Sequence, residues 1–244
     1  DAMRILAYLL GAALSLFAST GIQEEGRLAG GATWRIEIPA GWNGTLLLYS
    51  HGYGGGPDYP LRTALTPEVG KELLARGYAL AASSFSQDGW AVESALSDQI
   101  ALLDLFVKRF GKPKRTIAWG ESMGGLITEG LAQTPAGRLD GALCLCGSVG
   151  GVVGMLNLAL DGAFAIRTLL APESAMQLVN LADERANNAL VRKIVDEAQQ
   201  SPQGRARLAL AAALGQVALW GRNGPKPAPG DYAAEQQDQY RAIM

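Results

Sequence analysis

The chain has 244 residues and a net charge of −2, from 21 Lys and Arg against 23 Asp and Glu, so it lacks the basic excess that binding to nucleic-acid phosphates needs. Hydrophobic residues make up 48% and charged residues 18%, which excludes a disordered chain and allows a sizeable core. One His and two Cys cannot furnish a Cys/His zinc site, so no metal is expected.

Met3 and Arg4 precede an uncharged stretch from Ile5 to Ala18, followed by Ser19, Thr20 and Gly21. This is the pattern of a secretory signal over residues 1–20, and the stretch is shorter than the roughly 20 residues that span a bilayer. A secreted or periplasmic protein without a stable membrane anchor is expected. Trp34 to Ile38 alternates as a strand does, Asn43-Gly44 marks a turn, and Thr45 to Ser50 is an apolar run suited to a buried parallel strand. Thr66 as N-cap with Pro67 behind it opens a helix that stops at Gly77, and Tyr78 to Ser83 is the next strand. Helical spacing returns from Ser97 to Phe110, closed by Gly111 and Pro113. Thr116 to Trp119 reads as a strand, Met123 to Gln133 as a helix and Ala142 to Cys146 as a last strand. Cys144 and Cys146 stand on the same face of that strand, too strained for a mutual disulfide, and are read as buried free thiols.

Residues 21–150 therefore read as an α/β core with a mostly parallel sheet and flanking helices. Over 151–244 only helices are predicted: Met155–Leu170, Asn187–Gln200, Arg205–Leu219 and, past a loop rich in Gly and Pro, Tyr232–Met244. This second region reads as an incomplete helical lid, with Ala and Leu richness that favours an apolar substrate portion.

The sharpest motif is Gly120-Glu121-Ser122-Met123-Gly124-Gly125, a GxSxG sequence between a predicted strand and a predicted helix. A serine there sits on an abrupt turn with its oxygen exposed, Gly120 and Gly124 remove Cβ atoms that would collide, and the helix N-terminus faces developing negative charge. Ser50-His51-Gly52-Tyr53-Gly54-Gly55-Gly56 leaves an earlier strand at its C-terminal edge, where open α/β sheets place their sites. It fits neither a P-loop nor a full GxGxxG, which disfavours nucleotide.

With these two segments the chain resembles the α/β-hydrolase superfamily over about residues 33–150, and is similar to secreted bacterial serine esterases. The resemblance implies Ser122 as nucleophile, the backbone N–H groups of Met123 and of Tyr53, with Gly54 as the alternative, as the oxyanion hole, and a structural part for His51, Gly52, Gly120 and Gly124. It implies no cofactor, and a small-molecule ester as substrate. Tyr53, Tyr59 and Trp90 are candidates for pocket lining.

The superfamily order is serine, acid, histidine, and no His follows His51. The resemblance makes His51 a brace of its loop, so the acid and base, and the strands that carry them, are expected beyond residue 244. A fragment ending inside the lid, which residues Asp1 and Ala2 before Met3 and the absence of a terminating signal favour, and an inert relative are the two explanations. Asp140 and Asp161 read as surface or capping residues. Peptide-bond cleavage by the same machinery and a non-catalytic binding protein are the rival functions.

Overall fold

The computed structural model describes residues 21–134, 138–217 and 225–243; the signal segment expected over 1–20 lies outside them. The chain divides into two compact units, Asp1–Val149 and Gly150–Met244.

The first unit is built on a six-stranded sheet of β1 (Ile22–Arg27), β2 (Thr33–Ile38), β3 (Thr45–Ser50), β4 (Ala79–Ser83), β5 (Arg115–Glu121) and β6 (Gly141–Leu145), in the order β1-β2-β4-β3-β5-β6. β3 pairs parallel to both β4 and β5, β5 parallel to β6, and β2 is antiparallel to β1 and β4. β1 was not foreseen: it is half-exposed along its length and carries Glu24, Glu25 and Arg27, so neither an apolar run nor a clean alternation marks it.

The parallel strands are joined by α1 (Pro67–Ala75), α2 (Val92–Phe110) and α3 (Met123–Gln133). α1 starts as read: Thr66 Oγ1 accepts from the Val69 N–H at 3.3 Å, with Pro67 in the first turn. α2 begins at Val92, five residues before the predicted start, because Ala91 at its N-cap has no capping side chain to announce it. β3 shows why the sheet is two-sided. Leu46 and Leu48 enter a large cluster with Leu102, Phe106, Met123 and Ile127, whereas Leu47 and Tyr49 face a smaller one with Trp119, Ala82 and Leu73. Each fully buried Leu or Phe contributes about 1.5–3 kcal/mol, so the α2/α3 face anchors the unit.

Among the described residues β6 pairs with β5 alone, and the reading of its cysteines as buried is corrected. Cys144 and Cys146 are free and exposed, and Leu143 is 51% exposed.

The second unit contains α4 (Val152–Leu170), α5 (Glu184–Gln199), α6 (Pro202–Leu214) and α7 (Tyr232–Ile243). The first three start three residues earlier than predicted. Asp183 and Ser201 cap α5 and α6 by accepting from Ala186 and Gly204 N–H groups at 2.9 and 3.0 Å. Gly162 and Gly215 let α4 and the end of α6 come into contact. Among the described residues α4 alone is long and apolar enough to cross a membrane, by length and composition only.

Candidate active site

The strongest geometric feature of the first unit lies where β5 runs into α3. Ser122 is the N-cap of α3 and holds φ 54°, ψ −121°, a region that costs a non-glycine residue about 1–3 kcal/mol. Neighbouring contacts hold it there. Its N–H donates to the Leu145 carbonyl at 3.0 Å, and its own carbonyl accepts from Gly125 at 3.0 Å and from Leu126 and Ser148 at 3.3 Å. The side chain makes no capping bond, and the residue is exposed. The hydroxyl is thus carried on a rigid, strained turn and left open to a ligand.

The flanking glycines are required by space rather than by dihedral. A Cβ on Gly120 would stand 2.5 Å from the Ser50 carbonyl oxygen, one on Gly124 2.5 Å from that of His51, and one on Gly125 2.6 Å from the Gly147 backbone. These close approaches draw the β3 exit, the elbow and the β6 exit together. A Cβ on Gly52 would lie 3.5 Å from Ser122 Cβ, so the histidine-glycine loop runs directly beside the serine. Met123 is the first residue of α3, where an N–H has no intrahelical acceptor and the helix dipole favours an anion.

His51 is 1% exposed and stacked between Tyr59 and Phe85, with ring centroids 4.3 and 4.0 Å away. Its Nδ1 lies 2.9 Å from the Gly52 carbonyl oxygen, which assigns the proton to that nitrogen. Burial pushes its pKa below the ordinary 6.5, against the opposing pull of the Gly52 and Ser84 carbonyls. A neutral ring clamped between two others and bonded to its own loop cannot swing to a hydroxyl. It can, however, orient a peptide. The Gly52–Tyr53 bond is trans, so the Tyr53 N–H points opposite to the carbonyl that His51 holds. Gly54, Gly55 and Gly56 continue at φ 110°, 152° and 88°, conformations that only glycine adopts freely. Tyr53 is 68% exposed, its ring 6.3 Å from that of Trp90.

Several supporting residues carry no sequence signal. Gln99 of α2 is fully buried and donates to the Tyr49 carbonyl at 2.7 Å and to Ser50 Oγ at 2.8 Å, fixing β3 where the loop departs. Tyr49 donates to Glu121 at 3.1 Å, and burial, with Glu121 second, raises its phenol pKa. Arg62 donates to the Tyr59 hydroxyl at 3.3 Å. The contacts of Gln99 and of Tyr49 join positions 49 to 72 residues apart, which local spacing does not reveal. Of the two acids considered, Asp140 accepts from the Thr116 N–H at 2.8 Å, at the start of β5 and thus at the opposite end of that strand from Ser122. Asp161 is exposed on α4. Among the described residues no cluster of three or more His, Cys, Asp or Glu has metal-binding geometry.

Residues 29–172 match the sequence model of the Tannase-like family of unknown function (DUF6351). An o-phthalyl amidase of Xanthobacter agilis is 28% identical over 246 aligned positions, covering 91% of this chain and 52% of the amidase. The chain thus spans about half the length of that relative. Among solved structures, an esterase of Pyrococcus furiosus is 15% identical with a TM-score of 0.44, over 78% of this chain and 79% of the esterase. The Francisella virulence factor BioJ is 19% identical with a TM-score of 0.40, over 57% of this chain and 49% of that protein.

Proposed function

The chain belongs to the Tannase-like family of unknown function within the α/β-hydrolase superfamily, and from that premise we propose that it is a serine hydrolase cleaving carboxylic esters through Ser122. The observation that carries this reading is the exposed, strained Ser122 at the strand-to-helix turn, with the loop of Gly52 beside it. The Ser122 oxygen adds to the acyl carbonyl while its proton passes to a base. The resulting oxyanion sits against the Met123 N–H, assisted by the α3 dipole, and against the Tyr53 N–H. Collapse expels the alcohol, which takes up the proton, and water then frees the carboxylic acid and restores Ser122. His51 serves the reaction by holding the Gly52–Tyr53 peptide. The proton acceptor and its carboxylate partner are assigned to sequence beyond residue 244, and the signal-like residues 1–20 to export.

A second reading, cleavage of an aryl-acyl amide by the same steps, is favoured by the similarity to an o-phthalyl amidase. The longer protein, treated with a fluorophosphonate and mapped by mass spectrometry, should be labelled at Ser122, and the Ser122→Ala variant should not be labelled. Intact protein that is labelled elsewhere or not at all would refute the nucleophile. Cleavage of a phthalyl amide without cleavage of matched phenyl esters would replace the ester reading by the amide one.

A further inference from the structure

At the N-terminal edge of the parallel strands, the opposite end of β5 from Ser122, a cavity of about 490 Å³ opens between the end of α2 and the starts of β3 and β5. Its lining is apolar along one wall, where Val107 is 44% exposed and Leu103 is 6% exposed over the fully buried Leu46, and cationic at the mouth, where Lys108, Lys112 and Lys114 are exposed. Two carboxylates also reach it, and both are engaged: Asp104 holds Arg138 at 2.6 Å, and Asp140 accepts from the Thr116 N–H at 2.8 Å. In a chain of net charge −2, this one cavity gathers four cationic side chains against those two acids.

Lys108 stands in the last turn of α2 and complements its dipole. That effect fades within a turn, so it does not account for Lys112 and Lys114. Lys114 is also held: its side-chain carbons pack over Gly44, where a Cβ would stand 2.6 Å from Cδ, and its N–H donates to the Gly44 carbonyl at 2.8 Å. Charge without an apolar wall would suit a bare inorganic anion, and an apolar cavity without charge would suit a neutral hydrocarbon. We propose that this cavity is a second binding site, distinct from Ser122, for an organic anion with a flat apolar body and a carboxylate or sulfonate head, the body against Val107 and the edge of Leu103 and the head between Lys112 and Lys114.

The test is titration of the 244-residue chain with 2-naphthoate, followed by amide shifts in the ¹H–¹⁵N NMR spectrum. Shifts centred on residues 108–116, weakened by added salt and reduced about tenfold or more in affinity by Lys108→Gln, Lys112→Gln and Lys114→Gln together, would support the site. These side chains are exposed, so the variant keeps the fold, and its unshifted spectrum elsewhere verifies that. Shifts elsewhere, equal binding by the triple variant, or equal binding of neutral 2-naphthamide would overturn the proposal. Binding of inorganic phosphate as tight as that of naphthoate would overturn the apolar half of it. None of these outcomes depends on catalysis at Ser122.

Discussion

Ser122 shows how a single residue can carry both strain and chemistry. Its φ of 54° is a position where glycine would rest without penalty. Replacing it by Gly relieves about 1–3 kcal/mol of backbone strain and costs about 0.4–1 kcal/mol through the freer unfolded chain. The strain term is the larger. Ser122→Gly should therefore be about 1 kcal/mol more stable than Ser122→Ala, which lacks the same hydroxyl but keeps the penalty. Urea denaturation followed by tryptophan fluorescence reports mainly on the first unit, since four of the five tryptophans, Trp34, Trp42, Trp90 and Trp119, lie in it. Equal midpoints for the two variants would mean that the turn is not strained. The serine and its flanking glycines were legible beforehand because the turn demands small residues at fixed offsets, a local requirement that leaves a local trace.

At the scale of elements, the site is set by how α2 meets β3. Gln99 replaces water for the Tyr49 carbonyl and the Ser50 hydroxyl, both in the interior, and its Oε1 lies 3.4 Å from Ser83 Oγ. Gln99→Leu keeps the bulk but leaves these groups unpaired, which costs about 2–3 kcal/mol. The same urea experiment should show that loss, and in the protein extended as proposed the rate of fluorophosphonate labelling should fall as the loop of His51 loosens. Unchanged stability would remove Gln99 from the supports of the site. A polar residue on a helix reads from sequence as an outward-facing one, so this buried anchor was invisible. The same holds for β1, whose charged side chains hide its pairing.

For the molecule as a whole, the lone histidine gives stability a specific pH signature. The folded state lowers the His51 pKa below 6.5, so it favours the neutral ring. The stabilisation is complete above 6.5 and is lost as pH falls through the lowered folded value. Urea midpoints should drop from pH 7.5 to about 5.5, above most carboxylate titrations, and His51→Gln should flatten that drop while lowering stability at pH 7.5. An identical pH dependence in the variant would show that the ring titrates freely.

The sequence by itself determined the α/β alternation, the helical second unit, the caps at Thr66 and Pro67 and the two glycine-bearing turns, because each rests on a periodicity or an offset of a few residues. Only the tertiary structure decided that Gly52 borders Ser122, that His51 is clamped by Tyr59 and Phe85, that Gln99 ties α2 to β3, and that Cys144 and Cys146 face outward. Those outcomes depend on which strands become neighbours. Strand neighbours are chosen by the summed burial of distant surfaces, and no short window of residues contains that sum.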